Sequence, residues 1–181
     1  QSLPQGYQGG ETGSQPKAPL VVPMIGGGSE WDEARARLQQ SGATAMAQGI
    51  ERWRILSRTD AGSFSDYANF ILTYPGFPFE DKMRRAAEKA LERESVEPRQ
   101  LVAFFDRKPP LTNPAQARYA IALAAIGRND ATARALTAWR GGAVGEASLP
   151  ALSAIVANRA SPADQDARMD ALLWAGANGQ A

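Results

Sequence analysis

Hydrophobic positions along most of the chain recur at helical spacing rather than in strand-like alternation. Phe64, Tyr67, Ala68, Ile71 and Tyr74 share one stripe, and Met83, Ala86, Ala87, Ala90 and Leu91 share a second. Tyr119, Leu123 and Ile126, with Ala120 and Ala124 beside them, form a third. Leu149, Leu152 and Val156 form a fourth, and Met169, Leu172 and Leu173 a fifth. Breakers stand between the stripes: Pro75-Gly76, Pro78, Pro98, Pro109-Pro110, Gly127 and Gly141-Gly142. The pattern predicts helices of about 10 to 14 residues joined by short turns and stacked as αα-hairpins.

Local signals mark where those helices start. Ser29 and Asp32, like Ser63 and Asp66, have the spacing of a capping box, in which a hydroxyl and a carboxylate each satisfy orphan amides. Asn113-Pro114 and Ser161-Pro162 place a capping side chain before a proline at the first helical position, where the missing N–H costs nothing. From Tyr119 to Trp139, alanines permit close helix approach, Gly127 can end one helix in the left-handed conformation, and Asp130 can cap the next. This hairpin is tetratricopeptide-like, but that repeat's pattern, with its period of about 34 residues, does not recur. The expected fold is all-α, an α-superhelix or solenoid of short antiparallel hairpins over residues 29–181. Residues 1–28, rich in Gly, Gln, Pro and Ser, read as a disordered or weakly ordered tail, with a short docking strand around Val21 as the alternative.

Composition narrows the chemistry. Much of the 44% hydrophobic content is alanine, which favours helix over sheet. Twenty basic residues against nineteen acidic ones leave a net charge of +1, so no global field gathers polyanions and nucleic acid is not an expected partner. With no cysteine and no histidine, thiol nucleophiles, disulfides, zinc-thiolate sites, Ser-His-Asp triads and histidine bases are excluded. No apolar run approaches the roughly 20 residues of a membrane span. The first residue, Gln1, leaves open a removed leader or a start inside a longer gene.

Three stretches together resemble the N-terminal superhelical region of soluble lytic murein transglycosylases, periplasmic enzymes that cleave peptidoglycan glycan strands. The first holds Tyr67, Phe70, Tyr74-Pro75, Pro78 and the run from Met83 to Glu88. The second holds Phe104-Phe105, Pro109-Pro110, Arg118, Gly127-Arg128 and Trp139. The third holds Asp166, Arg168, Asp170 and Leu172-Leu173-Trp174, with Gln165 where the family often has histidine. The resemblance spans roughly Phe64 to Trp174. It implies a noncatalytic solenoid that supports a separate lysozyme-like catalytic domain, expected beyond Ala181, and positions murein glycan strands. It also implies a periplasmic location and no cofactor. In the family a catalytic glutamate, usually followed by serine, protonates the glycosidic oxygen and yields an anhydro product.

No catalytic, cofactor-binding or metal residue is assigned within the chain itself. Glu94-Ser95 superficially matches the family's Glu-Ser pair, but the Gly-x-Met-Gln and Tyr-Asn segments that should follow are missing. Glu94 also sits among Glu92, Arg93 and Glu97 rather than in the apolar setting a general acid needs, so it reads as part of a solvated turn before a helix opened by Pro98. Glu80-Asp81 suits a helix's first turn, and Asp164 has the i, i+4 spacing to pair with Arg168. Trp31, Trp53, Trp139 and Trp174 read as interhelix wedges. The basic residues Arg52, Arg54, Arg58, Lys82, Arg84 and Arg85 read as solvated surface, with weak contact to anionic stem peptides or glycan carboxylates as the alternative. Two other functions stay open, a tetratricopeptide-like protein-binding adaptor and a lysozyme-like enzyme acting through Glu94.

Overall fold

The computed structural model describes residues 28–176, and every regular element among them is a helix. In chain order these are α1 (Gly28–Leu56), α2 (Phe64–Thr73), α3 (Glu80–Ala90), α4 (Pro98–Phe105), α5 (Asn113–Ala125), α6 (Ala131–Arg140), α7 (Leu149–Val156) and α8 (Pro162–Trp174). The all-α expectation holds for these residues. The expected tail, apart from Gly28, and the apolar patch around Val21 lie outside them.

The start signals were legible to within a residue or two. Ser63 and Asp66 form a reciprocal capping box on α2, as Ser161 and Asp164 do on α8, where Pro162 follows the cap. Three signals are read differently by the fold. α1 begins at Gly28, so Ser29 lies inside its first turn. Thr112, not Asn113, caps α5, because the Asn113 amide is drawn away to the carbonyls of Ala138 and Ala143, each at 3.0 Å. Asp130 stands at the start of α6 without capping it, its carboxylate instead holding Arg128 at 3.1 Å. Gly127 does end α5, with φ of +73°, and the Arg128 amide reaches back to the Leu123 carbonyl at 2.9 Å.

The chain divides into two units between Gly42 and Ala43. In the first, Arg37 and Glu33 pair at 3.2 Å one helical turn apart. The second holds two hydrophobic clusters. One is aromatic and gathers α2 to α5: Phe64 meets Phe104 edge-on at 5.3 Å, Phe105 lies 5.5 Å from Tyr119, and Phe70, Tyr74 and Phe77 contact one another. The other is built on alanine: Ala117, Ala120, Ala135 and Ala138 with Val144, Leu152 and Val156. α5 serves both, turning Ala115, Tyr119, Ala122 and Leu123 to the first and Ala117 and Ala120 to the second. A helix covered on two sides is apolar around most of its circumference.

Four of the five predicted stripes face a core. The fifth does so only through Leu172, since Met169 and Leu173 are exposed. Trp174 is 93% exposed, which corrects its reading as a wedge: it ends α8, and no described element lies over it. Trp53 and Trp139 are half-buried against the two clusters, and the Trp31 side chain lies outside what is described.

Candidate functional site

The residues that carried the resemblance do not line one cleft. Tyr67, wholly buried, donates its hydroxyl proton to the Thr59 carbonyl at 2.6 Å, and Tyr74 donates to the Ala45 carbonyl at 3.3 Å. Phe70 is buried beside Tyr74, while Pro75 and Pro78 stand exposed in the turn that follows, where the Pro78 carbonyl accepts the Trp53 indole proton at 2.8 Å.

Glu88 and Arg118 join α3 to α5 from opposite directions. The buried Glu88 carboxylate accepts the backbone amides of Leu111 at 2.7 Å and Thr112 at 2.8 Å, fixing the turn after Pro110 that leads into α5. The Arg118 guanidinium donates to the carbonyls of Leu91, the C-cap of α3, and of Glu94 in the segment that follows it. The joint between α6 and α8 repeats the device. Arg168, buried, donates to the Gly142 carbonyl at 2.7 Å and lies over the Trp139 ring at 4.0 Å, while the Trp139 N–H donates to Gln165 at 3.1 Å. Burial holds the Arg168 pKa below its ordinary value.

The expected Asp164–Arg168 pair is not formed. Asp164 instead accepts from the Ser161 amide at 2.7 Å and pairs with Arg140, leaving Arg168 to the helix end. The Ser161 backbone bond first, then Arg140 and the Ser161 hydroxyl, hold the Asp164 carboxyl at a pKa of about 2. Asp166, Leu173 and Trp174 are exposed.

Glu94 accepts the Phe64 amide at 3.1 Å, which ties it to the start of α2 as a further connector. Glu80, in the first turn of α3 as expected, pairs with Lys108, and that bond chiefly lowers its pKa. Among the described residues, no three carboxylates gather as a metal site would require.

The end of α1 borders open concavities on two sides. An open groove of about 940 Å³ runs between the last turns of α1 and the face of α2, with Gln48, Glu51, Arg52 and Ile55 on one wall and Asp66, Asn69, Thr73 and Tyr74 on the other. Arg52 and Asp66 span it at 2.8 Å. The second region lies on another side of the end of α1. There Trp53, Arg54, Ser57, Arg58, Phe79 and Lys82 line a hollow of about 500 Å³, and Lys82 also borders a hollow of about 360 Å³ lined by Asp60, Arg85, Ala86 and Lys89. Two basic segments far apart in sequence thus converge around Lys82.

At the edge of that region Phe79 is 63% exposed and holds φ of +62°, a left-handed conformation that is an outlier for a bulky side chain. Its ring lies parallel to the Trp53 indole, centroids 6.3 Å apart. The stripes missed Phe79 because it belongs to none. One signal was available: it occupies the cap position of α3, directly before Glu80-Asp81, where a side chain able to accept from the helix amides would be expected. Comparison with family models, curated proteins and solved structures finds no match to this chain.

Proposed function

We propose that this chain is the noncatalytic α-superhelical scaffold of a periplasmic peptidoglycan lytic transglycosylase, supporting the catalytic domain of the same protein and positioning glycan strands. The observation that carries the reading is the placement of the resembling residues: Glu88, Arg118, Trp139 and Arg168 join helices rather than converge on a reaction centre. A superhelix is supported by the order of contacts, since each main helix pair, such as α5 with α6 or α6 with α8, lies one or two places apart along the chain.

The test compares residues 1–181 with a chain extended through its native coding sequence. The short form is expected to sediment with peptidoglycan sacculi and release nothing, and the extended form to release anhydro-muropeptides. Release by the short form would show that the chemistry lies within it, and an inactive extended form would remove the enzyme assignment.

A protein-binding adaptor is favoured by one feature, the α1–α2 groove, because no described residue bonds to the side-chain amides of Gln48 and Asn69 on its facing walls. Such amides suit the backbone of an extended peptide. Saturable binding of a peptide, weakened by Asn69→Ala, would separate this reading from the scaffold.

A further inference from the structure

We propose that the Phe79 shelf and the basic hollows around Lys82 form a binding site for a carboxylate-bearing saccharide. The inference rests on the scaffold reading only for its natural ligand, a muramic-acid glycan; the anionic saccharide follows from the shelf's own chemistry.

The shelf has three properties that coincide nowhere else among the described residues. An aromatic ring is exposed although Trp53 backs it, and a rigid flat ring with one free face suits the C–H face of a sugar. Its backbone sits in a conformation glycine would adopt without strain, so the chain keeps a bulky ring where local energetics favour none. Beside it stand five basic side chains, Arg54, Arg58, Lys82, Arg85 and Lys89, with Asp60 as the sole acid in the two linings. Arg54 is engaged by Glu51 at 3.5 Å and Lys82 by the Ser57 carbonyl at 2.7 Å. No described carboxylate pairs with Arg58, Arg85 or Lys89, so they can meet an anionic ligand without first breaking a bond.

Concavity favours a saccharide over the other polyanions. A membrane surface is met by several apolar side chains projecting together, whereas here one ring borders two hollows lined by polar and charged groups. A nucleic-acid strand is held by successive stacking platforms along a groove, and only Phe79 offers a free face here. The stacking and the charge also divide the work: the ring recognises a sugar face and the cations recognise its carboxylate.

The experiment titrates the 181-residue chain with soluble oligomers of N-acetylglucosamine and N-acetylmuramic acid, with uncharged chitin oligomers of equal length, with oligo-dT and with phosphatidylglycerol vesicles. The muramic-acid oligomer is expected to bind roughly five-fold more tightly than chitin, with affinity falling as salt rises. Phe79→Gly and Arg85→Glu should each weaken binding roughly five-fold while thermal melting stays close to wild type, and Phe79→Tyr should retain it. Equal binding of chitin, no binding of either glycan, unchanged binding by Phe79→Gly, or preference for oligo-dT or vesicles would each overturn the assignment. Sedimentation with sacculi that survives in Phe79→Gly would overturn the shelf alone and leave the scaffold reading in place.

Discussion

Glu88 is a buried charge whose oxygens face two backbone N–H groups, and its removal would orphan donors rather than merely delete a contact. An unsatisfied buried donor costs about 1 to 3 kcal/mol, so Glu88→Ala is expected to destabilise the chain by about 2 to 4 kcal/mol in urea unfolding, and Glu88→Gln, which keeps one acceptor, by about half that. A change below about 1 kcal/mol for the alanine variant would mean that water replaces the carboxylate. Gly142 is constrained by both conformation and space. Its φ is +85°, and an added Cβ would lie 2.8 Å from the Ala171 Cβ and 3.2 Å from that residue's carbonyl carbon. Gly142→Ala is expected to cost about 2 to 4 kcal/mol, combining the left-handed penalty with a clash against α8 backbone. Gly127 has a similar φ but open space around it, so Gly127→Ala should cost only about 1 kcal/mol, and the contrast between the two melts isolates the clash.

At the scale of elements, alanine decides how close α5 and α6 come. Ala117, Ala120, Ala135 and Ala138 are wholly buried, and α5 has a second cluster behind it, so it cannot retreat from a larger side chain. Ala120→Leu is therefore expected to cost about 3 kcal/mol, at the upper end of ordinary overpacking, seen as a lower denaturation midpoint. Element positions were legible because their causes are local: Ser63 with Asp66 and Ser161 with Pro162 are read within one turn of chain. What eluded the sequence depended on partners far along it. Asn113 left its cap for carbonyls 25 and 30 residues away, and Asp164 chose Arg140 over the neighbouring Arg168. The convergence of the end of α1 with α3 around Lys82 was hidden for the same reason, and Phe79 was hidden because a lone exposed ring has no period.

Across the second unit, the two clusters meet at α5, and the groups most shifted in pKa mark different joints. Asp164 belongs to the α6–α8 joint. Its folded pKa of about 2 lies below the ordinary 3.8, so the stability it contributes is present at neutral pH and lost as pH falls through that interval. Asp66, Glu80 and Asp106 are lowered too and act in the same direction. Tyr119 belongs to the aromatic cluster, where burial first and its hydrogen bond to Asp106 second push its pKa from 10 to about 12. The sign is reversed there: its contribution is complete below pH 10 and is lost as pH climbs through about 12. Urea midpoints measured across pH should therefore fall at both extremes. Asp164→Asn should flatten part of the acid limb and leave the alkaline limb intact, whereas Tyr119→Phe should flatten the alkaline limb and also remove the part of the acid limb that Asp106 owes to the Tyr119 hydroxyl. If Asp164→Asn altered the alkaline limb as much as the acid one, the α6–α8 joint and the aromatic cluster would not be separately titrating parts of the fold.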